Sequence, residues 1–418
     1  MEDDLYAEAA DLHLKKHGKL ETHSKFHVHN RHDLSLIYTP GVAEICRRIA
    51  RDPDLAYAYS MKANTVAIAT DGSAVLGLGN IGPYAAIPVM EGKAVLFKEF
   101  AGIDAVPLCI DAHGNEFIET VRRIAPAFGG INLEDIAAPR CFEIEEALQD
   151  LGIPVMHDDQ HGTAVVVLAA VINACRVTGR SLEDVTIVVS GAGAAGTAIT
   201  RLLKCVGMDR DRCTMVGDVI VCDRKGILYR GRPDLLGNPH KYILAHETNR
   251  ENRSGTLADA LAGADILIGV SAPGLVTPEM VGTMKENPII LALANPEPEI
   301  LPDAARSGGA AVVGTGRSDF PNQCNNVLAF PGIFRGALDA HSARITDGMK
   351  IAAAHALADA VHAPNRGRIL PSVLNREVAG KVAAAVREAA LREGVGRVIS
   401  TGPEGADGTP LRDEPPPG

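Results

Sequence analysis

Two pairs of adjacent acids have types and spacing that could do chemistry. Asp158 and Asp159 follow a short apolar run, residues 153–156, in His157-Asp158-Asp159-Gln160-His161-Gly162-Thr163-Ala164. Glu134 and Asp135 lie upstream in Asn132-Leu133-Glu134-Asp135-Ile136. A carboxylate at the end of an apolar run is costly to bury alone. Three or four that converge make a hard-oxygen site suited to Mg²⁺ or Mn²⁺. The competing reading is two unrelated exposed turns. Lys93 is the next candidate, in Glu91-Gly92-Lys93-Ala94, ahead of residues 94–97, which read as a strand. Partial desolvation between a glycine and an apolar strand would lower the lysine pKa and free it to act as a base. A strand-edge lysine reaching water is the alternative.

The elements that must hold these groups follow from apolar periodicity. Residues 163–168 read as a helix with Gly162 or Thr163 near its cap. Residues 64–70 and 106–110 read as strands ending at Asp71-Gly72 and Asp111. From residue 182 the pattern sharpens. Residues 185–190 are a strand, Gly191-Ala192-Gly193-Ala194-Ala195-Gly196 follows directly, 197–206 continue as a helix, and 219–222 form a strand ending at Asp223. This is a βαβ unit whose glycines permit a tight turn and close approach of a pyrophosphate to a helix N-terminus. Residues 209–213 read as an inserted loop. Strands at 265–269, 288–292 and 310–313 alternate with helices such as 256–261, the pattern of a doubly wound parallel sheet. Ligands bind such sheets at the carboxyl ends of strands, which makes Asn295 and the loop 321–326 pocket candidates. Asn325 and Asn326 can each donate and accept hydrogen bonds, although the pair also suits a plain turn.

A second glycine pattern, Gly77-Leu78-Gly79-Asn80-Ile81-Gly82, precedes Pro83 and Pro88 and has no clean βαβ unit after it. It reads as a structural or substrate-side turn. Residues 5–16 read as an amphipathic helix stopped by Gly18. His23, His27, His29 and His32 match no metal-binding spacing and read as a solvated loop. Pro40 opens a helix running to about residue 50 and keeps Thr39 extended, so Tyr38 sits just before a fixed corner. Residues 346–361 and 375–392 read as core-packing helices, with Val378, Val382 and Val386 on one stripe.

Length and composition set the bounds. The 418 residues should hold two or three domains. Hydrophobic content of 46% with 22% charged residues is ordinary globular composition, and without Trp the core must be aliphatic. A net charge of -11 argues against nucleic-acid binding. Eight cysteines, with no C-x-x-C and no zinc-like spacing, read as reduced, mostly buried thiols of a cytoplasmic protein. No apolar stretch approaches the ~18 residues of a membrane span, and no signal-peptide core is evident. Residues 407–418 read as a disordered Pro/Gly tail.

Seven motifs stand in order: Tyr38-Thr39-Pro40-Gly41, the Gly77–Gly82 turn, Glu91-Gly92-Lys93, Asn132-Leu133-Glu134-Asp135, the stretch His157 to Ala164, the Gly191–Gly196 turn, and Asn325-Asn326-Val327-Leu328-Ala329-Phe330-Pro331. The set resembles the malic enzymes in their short bacterial form. The resemblance implies an α/β protein: an N-terminal α/β substrate and catalytic domain over 1–160, a Rossmann-type dinucleotide-binding domain with C-terminal helices over 161–395, and a disordered tail over 396–418. It implies oxidative decarboxylation of (S)-malate to pyruvate and CO₂, with NAD or NADP and with Mg²⁺ or Mn²⁺. The family's catalytic tyrosine and lysine match Tyr38 and Lys93, and the acid that hydrogen-bonds the lysine matches Asp158. Its metal ligands match Glu134, Asp135 and Asp159. The dinucleotide turn matches Gly191, Ala192, Gly193, Ala194, Ala195 and Gly196, with Asp223 beyond, and its substrate and nicotinamide-side asparagines match Asn295 and Asn326. In the implied reaction Lys93, its pKa lowered by the nearby cation, takes the hydroxyl proton, and Tyr38 protonates C3 of enolpyruvate.

Animal members carry a substrate-binding arginine where Ser73-Ala74 stand, which leaves Arg317 as a candidate partner of the second malate carboxylate. No long C-terminal domain of the acetyl-phosphate-handling type follows, so regulation through one is not expected. Asp223 favours NAD, Arg224-Lys225 could accommodate a 2′-phosphate, and the balance tips to NAD. A homodimer without nucleic-acid or membrane partners is expected. A malolactic or oxaloacetate-decarboxylating enzyme is the alternative. A non-catalytic dinucleotide sensor is opposed by the presence of Lys93 and the acids.

Overall fold

Alternating apolar runs and helices assemble into two sheets. The computed structural model describes residues 2–75, 78–205 and 215–397, with side chains from residue 5 onward. Strands β1 (Thr65–Thr70), β2 (Asp104–Cys109), β3 (Gly130–Leu133) and β4 (Val155–His157) form a parallel sheet in the order β2-β1-β3-β4. Strands β5 (Thr186–Ser190), β6 (Asp218–Asp223), β7 (Gly226–Ile227), β8 (Ile266–Gly269), β9 (Ile289–Ala292) and β10 (Val312–Thr315) form a second sheet in the order β10-β9-β8-β5-β6-β7. Only β7 runs antiparallel to its neighbour. Every residue of β1, β3, β8, β9 and β10 is buried, which is why these strands read as continuous apolar runs rather than alternating ones. The winding reverses between β5 and β8, immediately beside the Gly191 turn.

The helix Asp158–Thr178 starts directly after β4 and ends against the second sheet's helices, so it is the spine joining the two units. It packs on the helices Ala194–Leu203 and Asp347–Asp359. The buried Asn173 amide ties it to the C-terminal segment, donating to the carbonyls of Ala358 (2.8 Å) and Ile369 (2.9 Å). By length and composition this helix could cross a membrane, contrary to the expectation that no stretch comes near that length; 72% of its most apolar window is buried inside the protein.

Four further expectations need correction. Residues 94–97 are not a strand. They belong to the helix Gly82–Ala101, which has Pro83 in its first turn and Gly102 as a left-handed cap at φ 63°. Four apolar residues carry no period of their own, and the helix boundaries lie well outside them. The spine helix begins at Asp158 with His157 as its N-cap, four residues before Gly162, because acids are well placed in the first turn of a helix. Cys205 is disulfide-bonded, so the thiols are not all reduced; Cys46, Cys109, Cys141, Cys175, Cys222 and Cys324 are free. The helix Glu2–Lys16 buries no apolar stripe: Leu5, Tyr6, Leu12 and Leu14 are all exposed. Gly77, the loop 209–213 and the tail 407–418 lie outside the described residues.

In a core without Trp, three phenylalanines make the joint between the first unit and the C-terminal helices. The Phe97 ring meets Phe330 and Phe334 edge-on at 4.7 and 5.5 Å between centroids. Phe330 and Phe334 sit on the helix Phe330–Asp339. Gly336 lets that helix close on Glu377–Arg392: a Cβ there would stand 2.4 Å from the Ala383 carbonyl oxygen. Phe334 is fully buried. Phe334→Ala should therefore cost about 3–5 kcal/mol, read as a lowered midpoint of thermal or denaturant unfolding with secondary structure retained at room temperature.

Candidate active site

Two strand ends and one helix deliver the acids to a single point. β3 runs out into Glu134 and Asp135, while β4 runs out into Asp158 and Asp159 in the first turn of the spine helix. β3 pairs with β4, with Leu133 opposite His157, so the acids that follow emerge side by side. Carboxylate oxygens of Glu134, Asp135 and Asp159 lie within 4.8 Å of one another. Asp135 adopts a left-handed φ of 52°, and its backbone N–H donates to Asp159 Oδ2 at 2.8 Å.

The helix Gly82–Ala101 brings Lys93 into this group from the opposite side. Its ammonium stands 2.6 Å from Asp158 Oδ2 and 2.8 Å from Glu134 Oε1, and 4.2 Å from the Phe330 ring centroid. Asn326 also donates to Asp158 Oδ2 (2.6 Å), and Asn132 donates to Glu134 Oε2 (2.7 Å). Asp158 is fully buried, and Lys93, Glu134 and Asp135 nearly so. A Cβ on Gly162 would stand 1.8 Å from Asp158 Oδ1, so only glycine fits at the next turn of the spine helix.

One ammonium among several acids settles the electrostatics. Burial works against the charged lysine, but Asp158, Glu134 and Asp159 outweigh it and hold Lys93 above the usual lysine range. This is opposite to the lowered value expected from sequence, because the lysine is buried among carboxylates instead of against an apolar strand edge. Burial pushes Glu134, Asp158 and Asp159 upward; repulsion from Asp159 adds to the shift of Glu134, and repulsion from Glu134 and Asp159 adds to that of Asp158. Three hard-oxygen donors held close, with Asp159 repelling Glu134, fit a small divalent cation, which would offset that repulsion.

The residues expected on the dinucleotide side lie at the ends of β5, β6 and β9. Gly191 (φ 124°) and Gly196 are demanded by the chain's own packing: a Cβ would meet the Val270 carbonyl oxygen at 2.6 Å and the Gly191 carbonyl oxygen at 1.9 Å respectively. Gly193 faces open space, and no side chain caps the helix Ala194–Leu203 that follows it, so backbone N–H groups are left for a phosphate. Asp223 ends β6, but its carboxylate is already gripped by Arg232 (2.6 Å) and Lys241 (2.7 Å), which hold its pKa well below the usual carboxylate range against the effect of burial. The simple reading of Asp223 as an uncompensated acid favouring NAD therefore loses its basis. Asn295 is exposed just beyond β9.

Two predicted residues are not brought to the cluster. Tyr38 caps the helix Arg31–Ile37 with its side chain 66% exposed, and no hydrogen bond or ring contact joins it to Lys93. Arg317 is committed to Asp319, at 2.9 and 2.8 Å, and to the Pro296 carbonyl. Other residues go unnoticed in the sequence. Arg232 and Lys241 carry no signal, because their partner Asp223 is 9 and 18 positions away. Glu299, fully buried, accepts from the N–H groups of Ser271 (2.8 Å) and Ala294 (3.1 Å), tying together the loops after β8 and β9. Its place after Asn295-Pro296 at a strand end was the one available hint. A cavity of about 750 Å³ lies behind the acids, between the spine helix and its neighbours, and includes neither the cluster nor the glycine turn.

Comparison with known proteins decides the family. A model of the malic enzyme N-terminal domain matches residues 17–116 and 111–149, and a model of the malic enzyme NAD-binding domain matches residues 160–391. The chain belongs to the malic enzyme family. It is 52% identical to a bifunctional malic/malolactic enzyme of Bacillus subtilis, over 97% of this chain and 98% of that one. It is 48% identical to an NADP-dependent malic enzyme of Halomonas elongata, over 93% and 94%. The crystal structure of an NAD-dependent malic enzyme from Thermotoga maritima superposes with a TM-score of 0.87 at 48% identity, covering 91% of this chain and 98% of that one.

His157, between the two acidic loops of this malic enzyme fold, gives a pH test of the site's burial. Both ring nitrogens are buried without hydrogen-bond partners, and burial lowers its pKa from 6.5 to about 4. Above pH 6.5 the ring is neutral in both states; between 6.5 and 4 only the unfolded chain takes up the proton, so stability falls as acid is added, and below 4 this contribution is constant. The loss is on the order of 3 kcal/mol. Unfolding curves across this window should be steeper for the wild type than for His157→Gln.

Proposed function

We propose that Glu134, Asp135 and Asp159 hold Mg²⁺ or Mn²⁺, and that Lys93, Asp158 and Tyr38 manage the protons while malate is oxidised and decarboxylated to pyruvate and CO₂. The observation that carries this reading is the convergence of those three carboxylates within 4.8 Å, with a buried lysine bridging Glu134 and Asp158. Held by Glu134, Asp135 and Asp159, such a cation would supply Lewis acidity for the oxidation and the decarboxylation. Lys93 would take the C2 hydroxyl proton as the neutral amine, a form that the charge of a bound cation, offsetting Glu134 and Asp159, would make accessible, while the C2 hydride passes to the nicotinamide of NAD or NADP. Asp158, hydrogen-bonded to the lysine, holds its ammonium in place and accepts charge as the proton moves. Asn326, bonded to Asp158, orients it toward Lys93 and the substrate side, with Asn295 across the crevice at the end of β9. Tyr38 would donate the proton that C3 gains, which balances the proton taken from the C2 hydroxyl; the role requires its N-terminal arm to reach a cluster that it does not reach within one chain. Gly191 to Gly196 receive the pyrophosphate. Arg232 and Lys241 neutralise Asp223, which makes the adenosine end compatible with either dinucleotide.

Incubation with malate and Mn²⁺, following reduced cofactor and pyruvate together with each dinucleotide, tests the assignment. Stoichiometric appearance of both is expected. Lys93→Ala should lower turnover by roughly 10²–10⁴-fold, and Tyr38→Phe should slow conversion of added enolpyruvate; near-normal rates would refute the corresponding role. The likeness to the bifunctional malic/malolactic enzyme of Bacillus subtilis favours one second reading, a malolactic activity. Lactate formed without net cofactor reduction would support it.

The functional unit we propose is a homodimer. Leu5, Tyr6, Leu12, Leu14, Phe26 and Leu36 expose apolar surface along the N-terminal arm that also carries Tyr38, and a second copy would cover it. Sedimentation velocity should give a mass near twice 44.0 kDa, and Leu12→Glu with Leu14→Glu should shift it to the monomer.

A further inference from the structure

The acids at the start of the spine helix are held from behind. The helix Arg140–Ala147 contributes one buried carboxylate, Glu145, 9% exposed. Its Oε1 accepts the backbone N–H of His157 at 3.0 Å. Its Oε2 accepts Gln160 Nε2 at 3.1 Å and lies 3.0 Å from His161 Nε2. His157, Gln160 and His161 bracket Asp158 and Asp159, and no hydrogen bond or ion pair joins Glu145 to either acid. Burying a lone carboxylate is strongly unfavourable, yet this one is kept ionised: burial pushes its pKa up, and His161, Lys350 and His157 more than reverse that and hold it at about 2. It is therefore an acceptor only, with both oxygens engaged at the strand-to-helix junction. It also borders the cavity behind the acids, on the side of the junction away from Lys93.

We infer that Glu145 is a positioning residue for the metal site: by clamping residues 157–161 it sets the direction in which the Asp159 carboxylate faces the cation and Asp158 faces Lys93. The inference rests on the metal reading proposed above. Groups that orient metal ligands typically change metal affinity by 10- to 100-fold when altered. Glu145→Gln keeps the volume but supplies one acceptor oxygen for three donors and turns an amide toward one of them, so the junction loosens without a cavity being made. His161→Ala removes one partner from Oε2, leaves Oε1 on the His157 N–H, and lies at a partly exposed position where folding is little affected.

Mn²⁺ binding followed by electron paramagnetic resonance of the free ion tests this in the full-length protein. Glu145→Gln should raise the Mn²⁺ dissociation constant about 10- to 100-fold, His161→Ala should raise it severalfold, and saturating Mn²⁺ should restore malate turnover in both. A merely structural glutamate would lower the unfolding midpoint while the folded fraction bound Mn²⁺ as the wild type does. Wild-type Mn²⁺ affinity in both variants would overturn this inference alone. A wild type with no Mn²⁺ affinity would overturn the metal reading and this inference with it.

Discussion

A buried ammonium shared between Glu134 and Asp158 is the interaction around which the molecule is arranged. Neither a lysine nor a pair of carboxylates can leave water alone, and removing one member of such a group leaves an uncompensated charge that costs several kcal/mol. Every element that touches the cluster therefore has its place dictated by it. β3 and β4 must end at the same height, and the helix Gly82–Ala101 must present its lysine across their tips. The Phe330 ring lies within cation–π distance of the ammonium and is itself packed edge-on against Phe97.

The second sheet is positioned by the spine helix instead of by a flexible linker. Its first turn carries Asp158 and Asp159, and its later turns pack on Ala194–Leu203, the helix that follows the glycine-rich turn. The clustered acids and the glycine-rich turn thus share one continuous support. The loops beside them are braced by buried carboxylates, Glu145 at the strand-to-helix junction and Glu299 between the loops after β8 and β9. Burial holds the Glu299 carboxyl above the usual carboxylate range, with the Ser271 and Ala294 N–H groups opposing that shift.

Much of this was legible in the residues. The βαβ unit from 185 to 223 shows because strand, glycine turn, helix and terminal acid are local in sequence and each obeys its own period. The clustered acids show because doublets at strand ends are rare enough to be noticed. What stayed hidden is non-local. Lys93 was read beside a strand because Ala94-Val95-Leu96-Phe97 is too short to reveal a helical period, and its raised pKa depends on acids 41 and 65 positions further along. The start of the spine helix was placed late because an acidic doublet looks like a turn until the helix dipole that favours it is known. Glu145 resembles its neighbours Glu143 and Glu146, and only the tertiary packing buries it. Tyr38 matched a motif, yet within one chain its ring faces solvent, so local sequence could not say what surrounds it.

The glycine-rich turn contains two kinds of glycine, and they answer to different pressures. At 191 and 196 an added methyl would strike the chain's own carbonyl oxygens, so any descendant that still folds must keep them. At 193 an added methyl would strike nothing in the protein. On the proposed reading, that residue is guarded only by the phosphate it would receive. In a lineage that gave up its redox cofactor, drift should reach position 193 first while 191 and 196 stayed unchanged, so the pattern of loss would record the loss of catalysis separately from the loss of fold.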